Sequence, residues 1–120
     1  MPKYLEIFTH KFSNVEDMHE HLRRDTQNFA TIEKRLRRSG MVSATQYVSE
    51  RSGEYKHIGQ LLCESKEAHD ACMAIMNSHD WDTEIPKQTS FETLKQYACC
   101  LLYTSPSPRD LSTSRMPSSA

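Results

Sequence analysis

The sequence predicts an α+β sandwich, in which one antiparallel sheet of four strands carries two helices on a single face. Three observations predict it. Residues 1–99 switch between strand-like and helix-like hydrophobic periodicity in the order strand, helix, strand, strand, helix, strand. The two central strands are joined by a polar, glycine-containing turn, Glu50-Arg51-Ser52-Gly53-Glu54, as in a hairpin. The length of this region suits one small domain with one core.

Residues 4–12 read as the first strand. Leu5 and Ile7 occupy one face, and Tyr4, Phe8 and Phe12 the other, so both faces carry apolar side chains. Ser13-Asn14-Val15-Glu16 has the form of a capping box, with Ser13 as the cap. The long helix that follows shows an apolar stripe of Val15, Met18, Leu22, Phe29, Ile32 and Leu36. Asp25 and Thr26 interrupt that stripe near its middle. Gly40 fits the left-handed position that closes a helix. Met41–Ser49 reads as the second strand, with Val42, Ala44 and Val48 in phase, and Tyr55–Glu64 as the third. Ser65 caps a second helix that carries Glu67 in its first turn and buries Ala68, Cys72, Ile75 and Met76. Residues 79–90 form a polar connection containing Trp81 and Pro86, with Phe91 as its anchor, and Leu94–Cys99 starts a fourth strand.

Two strand-helix-strand halves in this order make a ferredoxin-like β-α-β-β-α-β sandwich. Helices shield only one face of such a sheet. Apolar residues on the other face would be a liability in water. The expected remedy is a symmetric homodimer with two sheets packed face to face.

Element order, together with Cys63-Glu64-Ser65-Lys66-Glu67-Ala68 at the junction of third strand and second helix, resembles the dimeric α/β-barrel superfamily. Within it, the resemblance is to antibiotic-biosynthesis-monooxygenase-like domains, over about residues 4–99. That family has an aromatic residue where Cys63 stands, and often a His where Cys72 stands. The resemblance implies a pocket between sheet and helices, or inside the barrel, that binds a small, mostly apolar molecule. It further implies cofactor-free monooxygenase-like or isomerase-like chemistry. The alternative is a non-catalytic dimerisation or stress-response module whose barrel is filled by its own side chains, Phe8, Phe12 and Tyr47. A third option is a fragment of a longer protein.

Bulk composition narrows the partners. Residues 1–99 hold thirteen Lys and Arg against fifteen Asp and Glu, which gives no reason to expect nucleic acid. The basic cluster Lys34-Arg35-Arg37-Arg38 falls at a helix C-terminus, where cations complement the macrodipole. No apolar run approaches the ~20 residues that span a bilayer, and the N-terminus lacks a signal-peptide core. Cys63, Cys72 and Cys99 are odd in number and widely spaced, which argues against a disulfide framework and for a reducing, cytoplasmic compartment.

Among candidate site residues, His57 shares a strand face with Gly59, Leu61 and Cys63 and is the best-placed general base. His10 is the second candidate, and convergence of the two would strengthen both. Tyr47, Cys63 and Trp81 are candidate pocket residues. His19 and His21 lie two apart on a helix and cannot chelate one ion together. His79-Asp80-Trp81-Asp82 is metal-friendly in composition but reads as a solvated loop. No metal site and no cofactor site is therefore expected. There is no glycine-rich phosphate loop and no nucleophile elbow.

Residues 100–120, CLLYTSPSPRDLSTSRMPSSA, resemble the translation of a sequencing-library adapter. Two adapter blocks, Cys100–Asp110 and Ser114–Ala120, flank the barcode-sized gap of Leu111, Ser112 and Thr113. The expectation is a disordered, artefactual tail behind a domain cut short at its C-terminal end.

Overall fold

A computed structural model describes residues 1–81 and 84–98. Six elements follow one another: β1 (Tyr4–Lys11), α1 (Val15–Arg38), β2 (Met41–Val48), β3 (Lys56–Cys63), α2 (Lys66–Ser78) and β4 (Gln88–Lys95). The strands form one antiparallel sheet in the order β2-β3-β1-β4. This is the ferredoxin-like sandwich that the element order predicts. Cys99, Asp82 and the tail from residue 100 lie outside the described residues.

Local chemistry sets the ends of the helices. Asn14, not Ser13, caps α1: its side chain accepts the Asp17 amide hydrogen at 2.8 Å, and Glu16 and Asp17 sit in the positive first turn. At the other end, Arg35, Arg37 and Arg38 complement the negative end of the dipole. Ser65 caps α2 by accepting the Ala68 amide hydrogen at 3.1 Å. Gly40 turns the chain with φ +111, a conformation that an L side chain rarely adopts. A Cβ there would meet the Ala68 Cβ at 2.4 Å, so Gly40 also lets β2 begin directly beside α2.

Strand register decides what each sheet face shows. Cross-strand partners share a face. Tyr4, Glu6, Phe8 and His10 look toward the helices, together with His57, Gly59, Leu61 and Cys63 of β3. Leu5 and Ile7 occupy the uncovered face with Ile58 and Leu62 of β3 and Leu94 of β4. In β2 the register shifts between Met41 and Ser43. Met41 is buried beneath the helices, whereas beyond the bulge the odd residues turn outward. One inserted residue exchanges the two faces of a strand. The in-phase trio expected in β2 is split accordingly: Val42 is the irregular residue, and Ala44 and Val48 pair with Leu61 and His57.

The fourth strand begins six residues before the expected start. Gln88–Lys95 is exposed throughout and has little apolar patterning, yet it pairs with β1 along its whole length. Backbone pairing with β1 holds this edge strand. Phe91 does not anchor a loop but meets Phe8 edge-to-face across the strands, at 5.7 Å between ring centroids.

The core lies between helices and sheet in two parts. Ile32 and Leu36 of α1 pack with Met41, Leu61, Cys63 and Cys72. Met18, at the opposite end of α1, packs with Phe12 and Ile85. Beside the larger cluster, His69 of α2 and Glu6 of β1 form a buried pair at 2.8 Å, and the Thr93 hydroxyl donates to the same carboxylate oxygen at 2.5 Å. Buried polar groups of this kind persist only when they are paired.

Gly40→Ala is expected to destabilise the fold by ~1–3 kcal/mol, through strain at positive φ and the collision with Ala68. Urea denaturation of the two proteins checks it, and an unchanged midpoint would contradict this account of the turn.

Candidate functional site

Between the two apolar clusters α1 presents polar residues to the sheet. His21, Asp25 and Asn28 follow one another along its inward side; His21 reaches the strands, while Asp25 and Asn28 do not pack onto them as Ile32 and Leu36 do. The result is a cavity of about 510 Å³, partly open to solvent. Phe8, Leu61 and Gly59 form its floor on the sheet, Phe29 and Asn28 its wall on α1, and Trp81 and Ile85 its side. The Trp81 ring is held by its Nε1, which donates to the Met76 carbonyl at 2.7 Å, and by edge contact with His79. At the rim, Arg24 bridges Glu20 on its own helix and Glu84 before β4, at 2.6 and 3.1 Å.

Three histidines converge in this cavity. His10 of β1 and His57 of β3 are paired directly across the sheet and stack at 5.5 Å with 20° between planes. His21 of α1 descends onto both, at 4.7 Å from His10 and 5.1 Å from His57. One ring nitrogen from each lies within 4.8 Å of the other two. His21 and His57 are buried, and His10 is partly exposed.

Their outer partners are polar. His57 Nε2 lies 2.8 Å from the Gln46 amide oxygen, an acceptor, so Nε2 carries the hydrogen. That leaves Nδ1 of His57 as the lone-pair nitrogen, buried and with no hydrogen-bond partner among the described residues. His10 Nδ1 lies 2.9 Å from the Thr89 hydroxyl. Burial lowers the His57 imidazole from 6.5 to about 4. Burial, then His57, then Lys87, lower His10 to about 4 as well. Both rings are therefore neutral near pH 7. Burial acts in the opposite direction on the Asp25 carboxyl and raises it.

The placement of the sequence candidates is uneven. His57, His10 and Trp81 all line the cavity. Tyr47 does not: beyond the β2 bulge it pairs with Ile58 on the uncovered face, half-exposed. Cys63 is likewise absent from the lining, because it is fully buried under α2 beside Cys72. Its thiol is pushed up to about 12, first by burial and then by Cys72 and Glu6, so it is an inert packing group. His79 bonds the Asn28 amide oxygen at 3.0 Å and belongs to no metal-ligand cluster among the described residues.

His21 is the residue that sequence reasoning missed. His19 and His21 do diverge, with His19 exposed, but His21 finds its neighbours on other elements. The available signal was the inward face of α1. His21 lies three residues from Met18 and four from Asp25, the position already seen to interrupt the stripe.

Comparison with family models and with curated proteins finds no match. Solved structures do match. One is a dimeric ferredoxin-like protein from an uncultured marine organism, with a TM-score of 0.74, 10% identity, and coverage of 82% of this chain and 98% of that one. A second of the same description and source has a TM-score of 0.72, 11% identity, and coverage of 80% and 95%. The fold is that of these proteins. A monooxygenase from Streptomyces coelicolor, from the gene ActVA-Orf6 and in complex with nanaomycin D, aligns at a TM-score of 0.49 and 15% identity, over 78% of this chain and 88% of that one.

Neutral burial of His10 and His57 makes stability pH-dependent. Each ring is depressed in the folded state, so protonation favours the unfolded chain. Their contribution is fully present above pH ~6.5 and is lost as pH falls through about 4. In chelator-containing buffer the urea midpoint is expected to fall from pH 7 to pH 4.5, and to fall less in His57→Gln. Equal slopes for the two proteins would contradict the assignment.

Proposed function

We propose that this chain is a homodimeric small-molecule-binding domain, with one ligand site per subunit between sheet and helices. The cavity carries the reading. Its volume of about 510 Å³ falls within the ~300–1,000 Å³ range of ligand sites, with apolar walls and a few convergent polar groups. Its shape and lining suit a small, mostly apolar molecule whose one polar end meets the histidines. Neutral imidazoles accept hydrogen bonds, and isomerase-like or monooxygenase-like proton removal by His10 or His57 requires the bound molecule to raise their basicity from about 4.

The rival non-catalytic module would have its interior closed by Phe8, Phe12 and Tyr47. Here Phe12 packs against Met18 and Ile85, and Phe8 lines open space, so neither closes the cavity. These placements favour the ligand reading.

The uncovered face supports the dimer. Leu5, Ile7, Ile58, Leu62 and Leu94 gather there with Tyr47, on a face that neither helix reaches. At ~25 cal/mol per Å² of apolar area, pairing two such faces stabilises the assembly by several kcal/mol. Two solved structures that share the fold are described as dimeric.

Light scattering is expected to give twice the 13.9 kDa chain mass. Ile7→Glu should reduce it to one copy, and a monomeric parent protein would end the dimer reading. The single tryptophan, Trp81, lines the cavity and serves as its reporter. Neutral bicyclic phenols are expected to quench its fluorescence saturably, and His57→Ala should weaken that binding at least tenfold while leaving the mass unchanged. Unaltered affinity would remove His57 from the site.

A further inference from the structure

We infer that His10, His21 and His57 form a binding site for one late first-row divalent metal ion, such as Zn²⁺ or Co²⁺, with an open coordination position facing the cavity. Three observations carry it. The three side chains come from three different elements, yet each brings a ring nitrogen within 4.8 Å of the others. A tetrahedral ion with bonds of ~2.0–2.1 Å needs its nitrogens ~3.3 Å apart, so the ring nitrogens must close by up to ~1.5 Å. Small side-chain rotations supply that distance.

The second observation is His57 Nδ1. Leaving a lone-pair nitrogen buried without a partner is unfavourable. Its surroundings are two other imidazoles, both within stacking distance. Neutral rings can pair N–H to lone pair only two at a time, whereas a shared cation engages a lone pair from all three.

The third observation is the outer layer. Metal-bound imidazoles nearly always donate their second N–H to an oxygen, which fixes tautomer and orientation. Gln46 receives the Nε2 hydrogen of His57 at 2.8 Å. The Thr89 hydroxyl stands at 2.9 Å from His10 Nδ1, placed to accept its hydrogen and leave Nε2 for the ion. An oxygen-ligand ion such as Mg²⁺ or Ca²⁺ is excluded by the donor set, which is all imidazole. Three neutral ligands leave the ion with its full charge. Of the charged groups that line the cavity, Glu33 pairs with Arg37 and Arg24 pairs with Glu20 and Glu84, while Asp25 opposes the ion's charge and Lys87 adds to it. The open position then takes water or an oxygen of the bound molecule.

The site stands on the imidazoles alone. It rests on the ligand reading only for what the open position holds, and there it names the ligand class: a molecule with an oxygen donor at its polar end.

The test titrates the full chain, stripped with chelator, with Co²⁺ alone. One equivalent per chain is expected, with visible d–d absorption of a four- or five-coordinate site, displaced by Zn²⁺. His10→Ala and His57→Ala should each weaken uptake ~10-fold or more, and Gln46→Leu ~10-fold through the outer layer. His19→Ala, on the exposed side of α1, should leave it unchanged. His10→Ala removes a partly exposed ring, so it keeps the test valid if His57→Ala fails to fold by circular dichroism. Absence of uptake by the parent protein, or uptake equal in His10→Ala, would overturn the site. Metal uptake without quenching by any phenol sustains this inference and sinks the ligand reading, and quenching without metal uptake does the reverse.

Discussion

Helix α1 packs through two separate apolar clusters, with Met18 and Leu22 in one and Phe29, Ile32 and Leu36 in the other, and most of the structure follows from the polar gap between them. Met18 fastens the N-terminal end to Phe12 and Ile85, and Ile32 and Leu36 fasten the C-terminal end to Met41, Leu61 and Cys72. The inner members of the two anchorages, Leu22 and Phe29, are about two turns apart along the helix. The polar residues between them cannot displace water from the strands without partners. A continuous apolar stripe would have closed the space with packed side chains. Interrupting it at His21 and Asp25 leaves a cavity between the two packed clusters.

The histidines that occupy this gap are held by the same logic. An imidazole taken out of water loses the hydration that stabilises its charged form, and two such rings placed face to face disfavour charge further. His10 and His57 are therefore neutral, each with one nitrogen engaged by an oxygen at the sheet edge, Thr89 on β4 and Gln46 on β2. Both edge strands are largely exposed and poorly patterned, yet both supply the groups that orient the site. Elsewhere under the helices the polar groups are structural. Glu6 and His69 satisfy each other with Thr93, and Cys63 and Cys72 simply fill volume.

Register divides the labour of the sheet. On β1, residues 4, 6, 8 and 10 serve the helices and the cavity, whereas Leu5 and Ile7 serve the uncovered face. Each central strand thus carries two separate functions at a period of two residues. The bulge after Met41 adjusts β2 to this scheme. It keeps Met41 in the core, brings Gln46 toward His57, and sends Tyr47 outward to Ile58.

The sequence by itself determined the order of elements, the caps at Ser65 and Gly40, the hairpin, and the two-faced character of β1, because these depend on neighbours within one or two turns. It also singled out His10 and His57 as candidates, His57 through the strand face it shares with Gly59, Leu61 and Cys63. The tertiary structure alone decided that these two stand directly opposite each other, that His21 completes the group, and that Tyr47 and Cys63 lie outside it. Convergence depends on register between strands distant in sequence and on the height at which a helix rides over them. A single inserted residue in β2, invisible to periodicity, reversed the direction of every side chain beyond it. The start of β4 was equally hidden, because an edge strand is held by backbone hydrogen bonds that carry no side-chain signature.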